Sequence, residues 1–217
     1  MLALTGFNVS WVDLLVVCVL AVGVFHGRKR GMSEELLDII KWTLIVGVAG
    51  LLYEPGGRWL SRLSVFSLLS SYVFAYIIVA LAIFSIFAFL RKKIGEKLVG
   101  SDVFGRGEYY LGMIAGAYRY LCVLLVVMAF LNAREYNAAE IAAKDRYQDQ
   151  NFGTKLIPTL PDLQKEVFDR SLSGRIAHRH LNVVLIRPTA PSDKGVSDER
   201  SLNRRRERAV DQILDKK

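Results

Sequence analysis

The stretch from Ser64 to Leu90, SVFSLLSSYVFAYIIVALAIFSIFAFL, contains no Asp, Glu, Lys or Arg over 27 residues. An α-helix rises 1.5 Å per residue, so about 20 apolar residues suffice to cross the hydrocarbon core of a bilayer. A helix of this length in a soluble core would need a polar face, and this one has only scattered serines. The stretch therefore predicts a transmembrane helix.

Three further apolar segments, each interrupted by only a few polar residues, are Val9–Phe25, Leu36–Tyr53 and Tyr109–Leu131. The 217-residue chain is 52% hydrophobic with a mean hydropathy of +0.27, which is unusual for a soluble protein. The first segment lacks the basic flank of a cleaved signal peptide, so we expect it to be retained. We predict an all-α integral membrane protein with four transmembrane helices and an extramembrane tail.

The predicted parts are a four-helix transmembrane module (residues 1–133), a juxtamembrane helical tail (134–174) and a basic, largely disordered extension (175–217). In the tail we expect Asp162 to cap a helix over Leu163–Leu172 that stops at Gly174. Residues Leu181–Ile186 fit either a strand or an apolar docking segment, and Pro188–Arg208 has a disordered composition. The cluster RRRER at 204–208 is interpreted as a solvated charge run, with binding to nucleic acid or anionic lipid as the alternative.

Lys and Arg in short loops indicate the orientation of a membrane protein. Loops 26–35 and 91–108 hold eight such residues, whereas loop 54–65 holds two and the N-terminal flank none. We therefore place loops 26–35 and 91–108 in the cytoplasm and both termini in the periplasm of a bacterial inner membrane. The main topology determinants are Arg28, Lys29, Arg30, Arg91, Lys92 and Lys93.

Arg119 lies about ten residues into the fourth segment, roughly 15 Å from its cytoplasmic end. A charge at that depth costs a few kcal/mol, so it either snorkels to the headgroups or pairs with an acid. Asp13 and Asp38 are the candidate partners, and together the three form a candidate intramembrane polar site. Asp38 can instead pair with Lys41, three residues away on the same helix, which weakens the case for Arg119.

Gly112 and Gly116 form a G-x-x-x-G pair one turn before Arg119, and small residues at this spacing let helices approach closely. Gly47 and Gly50 are expected to do the same in the second segment. We predict tight helix packing here, within the bundle or between copies in a homo-oligomer.

The stretch GRKRGMSEELLDIIKW (Gly27–Trp42) resembles a phosphate-binding loop only superficially, because no Lys-Ser/Thr follows the second glycine. Instead, Ser33 is predicted as a helix N-cap, with Glu34 and Glu35 as favourable charges behind it. No metalloprotease or serine-nucleophile motif occurs. His178 and His180 lack further ligands nearby, and Cys18 and Cys122 fit packing positions. We therefore expect no catalytic residues, cofactor or metal.

The order of motifs is similar to that of the colicin V production protein family (CvpA). Trp11-Val12-Asp13 resembles the family's W-x-D start, and Gly27–Gly31 followed by Glu35-Leu36 and Trp42 resembles its next motif. Leu111-Gly112, Gly116 and Arg119 match the third motif, and Leu156-Ile157-Pro158 a short tail segment. Glu108-Tyr109 departs from the family's Asp-Arg, and Tyr120 from its glycine after the arginine.

The resemblance covers about residues 9–172 and implies a bacterial inner-membrane protein linked to colicin V (toxin) production or export and to envelope integrity. Similar four-helix modules precede periplasmic serine proteases, which agrees with an outside-facing tail. We expect a non-enzymatic secretion-accessory protein whose partners are membrane lipid and a membrane or periplasmic protein, not nucleic acid. The alternative is a small transporter or channel subunit with a polar site around Arg119.

Overall fold

The computed structural model describes residues 10–62, 67–99, 105–138, 140–142, 146 and 159–190. Within these ranges the chain is helical and contains no strand. The helices are α1 (Trp11–Leu44), α2 (Gly50–Ser61), α3 (Leu68–Val99), α4 (Glu108–Asn132), α5 (Leu160–Lys165) and α6 (Leu172–His180). Short π-helical segments follow α1 and α5, and a 3-10 turn precedes α4.

Three helical stretches of the described chain are long and apolar enough to cross a membrane: Trp11–Ser61, Leu68–Lys93 and Glu108–Asn132. The last two agree with predicted segments. The first is 51 residues long and takes in two predicted segments, because α1 continues without a loop through the π-helical residues Ile45–Ala49 into α2. The structure thus has three candidate stretches among the described residues, and the predicted four transmembrane helices stay a prediction.

The backbone of α1 breaks at Gly31, where φ is 75° and ψ is 169°. A residue with a Cβ rarely adopts this positive φ, so glycine is required. Before the break, Gly27 lies against Gly112, and Gly31 itself lies against Glu108 at the start of α4. After the break, Asp38 contacts Arg119, farther along α4. The chain therefore reverses its direction along α4 at Gly31.

The bundle has two distinct ends. We call the end that holds Gly31 and the start of α4 the turn end. The opposite end, where α1 begins and α4 finishes, is the tail end, because Asp13 and Asn132 both contact residues of the tail there. Tyr53 also contacts the tail, so the chain returns to the tail end after the break.

Tyrosines fill the core of the tail half of the bundle. The rings of Tyr53 and Tyr72 meet edge to face at 5.6 Å, and those of Tyr76 and Phe130 at 5.2 Å. Gly57 of α2 lies directly against Tyr72 of α3. In contrast, only 11% of the apolar window of α3 is buried, which suits a helix whose outer face contacts lipid.

Residues 159–190, which we call the tail cap, fold differently from the prediction. Thr159 is the N-cap of α5, and Asp162 completes its capping box from the third helical position. A π-helical turn over Glu166–Arg170 then leads to Ser171, which caps α6. The predicted stop at Gly174 is wrong, since this glycine is buried inside α6 against Val167.

The end of the tail cap docks on the bundle. Leu185 and Ile186 are fully buried. Their carbonyl oxygens accept hydrogen bonds from the Tyr53 hydroxyl (3.3 Å) and the Asn132 amide (3.0 Å). Of the two predicted alternatives, the docking segment is present and the strand is not. An isolated parallel β-bridge joins the backbones of Arg134 and Thr189.

Residues 175–190 are therefore ordered, and α6 runs across the boundary predicted at residue 174. The remainder of the predicted extension, 191–217 with its RRRER cluster, lies outside the described residues. So do residues 139, 143–145 and 147–158 of the predicted juxtamembrane helical tail, which include the Leu156-Ile157-Pro158 segment.

Candidate functional site

A seam of glycines joins α1 and α4. Four-residue spacing puts Gly23 and Gly27 on one face of α1, and Gly112 and Gly116 on one face of α4. An ideal Cβ at Gly23 would lie 2.9 Å from the Gly116 carbonyl oxygen, and one at Gly112 only 2.5 Å from that of Gly27. The two backbones are thus in direct contact along what we call the glycine seam.

The predicted packing role of Gly112 and Gly116 is accordingly filled within one chain. The α1 glycines that complete the seam were missed, although their spacing in the sequence is the same. Gly50 lies close to the backbone of Val184 in the tail cap, whereas an added Cβ at Gly47 would have no neighbour within 4 Å among the described residues. Gly47 therefore supports no helix contact within the described bundle, and its packing between copies stays a prediction.

Arg119 follows the seam by one turn on the same face of α4 and is 8% exposed. Its Nη1 atom lies 3.1 Å from Asp38 Oδ2 and 3.1 Å from Glu35 Oε2. Both acids belong to the part of α1 beyond the break at Gly31. The sequence left open whether Arg119 snorkels to the headgroups or pairs with an acid, and in the structure it pairs with two acids.

Asp38 is also buried and contacts three cations. Lys41 Nζ lies 2.6 Å from its Oδ1, as its spacing on the helix suggests, and Arg30 Nη1 lies 3.4 Å from Oδ2. The interpretation that Lys41 competes with Arg119 was wrong, because the two cations use different oxygens of the carboxylate.

Glu35 is the member of the site that sequence reasoning missed. Its side chain is fully buried, with Arg119 at 3.1 Å and Arg30 at 3.8 Å. Neither carboxylate oxygen has a well-oriented hydrogen-bond donor among the described residues. It was interpreted only as a favourable charge behind a helix N-cap, and its pairing with Arg119 was not predicted. The available signal was its position three residues before Asp38, on the same face of the helix.

Ser33, predicted as an N-cap, does not act as one. Its hydroxyl is buried without a hydrogen-bond partner among the described residues, and the helix continues through it. We call Glu35, Asp38 and Arg119, with Arg30 and Lys41 at their rim, the ion cluster.

Asp13 lies outside the ion cluster, at the tail end. It forms a capping box with Ser10 at the start of α1. Its carboxylate also accepts hydrogen bonds from the backbone N–H groups of Leu172 (3.1 Å) and Ser173 (3.0 Å) and from the Ser173 hydroxyl (2.8 Å). Of the three residues in the predicted polar site, the structure brings together only Asp38 and Arg119.

The predicted topology determinants gather at the turn end. Arg28, Lys29 and Arg30 immediately precede the break in α1, and Arg91, Lys92 and Lys93 lie in the C-terminal part of α3. Lys41 Nζ lies 4.9 Å from the centre of the Phe84 ring, which puts this part of α3 beside the ion cluster. Cations of both predicted cytoplasmic loops are thus at one end of the bundle.

The described residues contain no group of three side chains that could hold a metal ion. His178 and His180 lie on α6, where the His178 ring packs against Phe168 at 5.9 Å. Cys122 is buried and Cys18 exposed, both as free thiols. The ion cluster joins the two halves of α1 to each other and to α4 by charge pairing. It also contains the fully buried carboxylate of Glu35.

A comparison with protein families matches residues 12–145 to the family described as colicin V production protein. The match covers more than half of the chain and includes the glycine seam and the ion cluster, but not the tail cap. No curated protein and no solved structure matches the chain.

Proposed function

The chain belongs to the colicin V production protein family, and from that premise we propose that it is a non-enzymatic inner-membrane accessory protein. Its role would be in the production or export of colicin V and in the integrity of the envelope. It would act by presenting a rigid helical bundle to a membrane or periplasmic protein partner.

The observation that carries this proposal is the direct contact between α1 and α4 together with the internal pairing of the buried charges. The glycine seam leaves no space between α1 and α4, and the charges of the ion cluster are directed at one another. Buried charges that pair internally fix the arrangement of helices rather than present a ligand site. Such an interior suits an assembly component better than a path for a solute.

We further propose that the long stretch Trp11–Ser61 crosses the membrane twice, giving four crossings in total. The reversal at Gly31 supports this, because both Asp13 and Tyr53 reach the tail cap while Gly31 lies at the other end. The cations at the turn end would then be cytoplasmic, and both termini periplasmic.

Reporter fusions at residue 150 test this orientation. Alkaline phosphatase fused there should be active, and green fluorescent protein fused there should be dark. A bright fluorescent fusion with inactive phosphatase would place the tail in the cytoplasm and contradict the proposed topology.

Colicin V export tests the role. In a strain that carries the colicin V genes but lacks the chromosomal copy of this protein, we expect smaller inhibition zones, restored by the natural chain. Gly116→Leu should fail to restore them, because it wedges the seam apart, whereas Gly47→Leu should succeed at a position with open space. Full export without the protein would contradict the proposal.

A transporter or channel subunit is the second candidate. It is favoured by the full burial of Glu35, whose carboxylate has no well-oriented hydrogen-bond donor within the part of the chain that the structure describes. This function predicts that Arg119→Leu abolishes solute flux in a protein that still folds, and that Arg119→Lys retains part of it. Proteoliposomes loaded with a pH-sensitive dye would measure proton flux, the simplest flux that such a carboxylate supports.

A further inference from the structure

We propose that the tail cap carries a phospholipid-binding surface. In this proposal, α6 and the loop after it lie against the lipid headgroups at the tail end of the bundle. Exposed arginines would contact lipid phosphates, and exposed apolar side chains would enter the boundary of the acyl region. The inference depends on the membrane placement of the bundle and is independent of its role in colicin V production.

The first observation is charge. Residues 170–190 contain no Asp or Glu, but they contain four arginines and two histidines. Arg175 and Arg179 are both exposed and lie one turn apart on α6. The other two arginines, Arg170 and Arg187, pair with acids elsewhere in the chain, so it is the exposed pair on α6 that is complementary to the anionic phosphates of a membrane surface.

The second observation is the division of α6 into two faces. Gly174 and Ala177 are buried towards Val167 and the bundle. Ile176 lies away from that face and is 58% exposed. In the loop that follows, Val183 is 70% exposed, although its neighbours Leu185 and Ile186 are fully buried. Large apolar side chains thus accompany the arginines on the outside of the tail cap.

The third observation is location. Asp13 in the first turn of α1 accepts two backbone hydrogen bonds from the start of α6, which holds α6 at the membrane end of that helix. Trp11, two residues earlier, is 49% exposed, and Trp59 in α2 is 64% exposed. Tryptophan concentrates at the interface between bilayer and water. The surface of α6 therefore lies beside the level at which headgroups are expected.

A phospholipid surface explains this combination better than a soluble protein partner does. Cationic helices with exposed apolar residues bind membranes by burying the apolar side chains while the charges contact headgroups. α6 is only nine residues long, but its attachment to α1 removes the entropic cost of bringing it to the membrane. Each cation near an anionic surface favours contact by roughly fivefold.

The test uses the full chain with its exposed Cys18 replaced by alanine, and with the buried Cys122 left in place. The substitution Ile176→Cys then introduces one exposed cysteine, which is labelled with an environment-sensitive fluorophore. The matched control is Asp169→Cys, an exposed acidic position in the turn before α6. Both proteins are reconstituted in nanodiscs of phosphatidylcholine and phosphatidylglycerol, with and without lipids that carry a nitroxide high on the acyl chain.

We expect the lipid nitroxide to quench the probe at position 176 at least twice as strongly as the probe at position 169. Iodide in the water should show the opposite preference. Adding Arg175→Gln and Arg179→Gln should reduce the lipid quenching at 176, and omitting phosphatidylglycerol should do the same.

Amide hydrogen exchange at Leu172 and Ser173 checks that the tail cap remains docked in each variant, because these groups donate to Asp13. Equal quenching at 176 and 169 with the amides still protected would overturn the proposal. So would quenching at 176 that is unaffected by the two arginine substitutions and by lipid charge. Neither result would alter the outcome of the colicin V assay.

Discussion

Replacing Gly112 by alanine should force α1 and α4 apart, because the new Cβ would lie 2.5 Å from the Gly27 carbonyl oxygen. It would also lie 2.9 Å from the Cα of Gly31. A relaxed carbon–oxygen contact is about 3.3 Å or longer, so the helices would have to separate by roughly 0.8 Å. The obstructing atoms belong to the backbone and cannot rotate away. Overpacking of this kind typically costs about 1–3 kcal/mol.

Gly47→Ala is the matched control, since an added Cβ there meets no atom within 4 Å. Both substitutions gain the helix propensity of alanine, about 1 kcal/mol, so their difference isolates the packing cost. We expect Gly112→Ala to be about 1–3 kcal/mol less stable than Gly47→Ala in reversible unfolding by dodecyl sulfate in mixed micelles, followed by circular dichroism. Stabilities equal within about 0.5 kcal/mol would refute the inference that the two backbones are in contact.

Three further outcomes follow from the contacts. Arg119→Leu removes the buried cation that Glu35 and Asp38 share and leaves Glu35 with only Arg30, at 3.8 Å, among the described cations, so it should destabilise the bundle by about 3–5 kcal/mol in the same unfolding assay. Adding Glu35→Leu should recover part of the loss, and no recovery would contradict the pairing. Asp13→Ala should accelerate amide exchange at Ser173 while leaving the rest of the bundle protected, and unchanged exchange would show that Asp13 does not hold α6. Tyr53→Phe removes a hydroxyl that both donates to and accepts from the tail cap, so we expect about 1–3 kcal/mol weaker docking, measured as faster proteolysis of the tail.

The sequence predicted well those features that depend on composition along a single helix. Long apolar segments identified α3 and α4 as candidate membrane helices, and the distribution of cations grouped residues that the structure places at the turn end. It also offered two acids as partners for Arg119. It did not choose between them. Asp38 and Asp13 lie 81 and 106 positions before Arg119 in the chain, and only the packing of helices can bring residues so far apart together.

The prediction of the tail was less successful for a physical reason. Glycine is common where helices stop, which is why Gly174 was predicted to end one. Glycine is also required where a neighbouring backbone comes too close for a Cβ, as the backbone of Val167 does here. The segment Leu181–Ile186 has no periodicity that separates a strand from a docking segment. Its conformation is set by hydrogen bonds to Tyr53 and Asn132 from other parts of the chain.

The sequence by itself determined that this protein has apolar segments of membrane-spanning length. It also determined that a charged stretch separates the first two of these segments and that the last one contains a single arginine. The tertiary structure decided what that arginine pairs with, and it added Glu35, which the sequence had indicated only as a favourable charge at a helix start. The reason is that a hydrophobic segment carries its membrane preference in its own composition, whereas the state of a charge depends on what lies beside it. Glu35 is buried because the glycine seam holds the first half of α1 against α4, and the reversal at Gly31 returns the second half alongside α4 to reach Arg119.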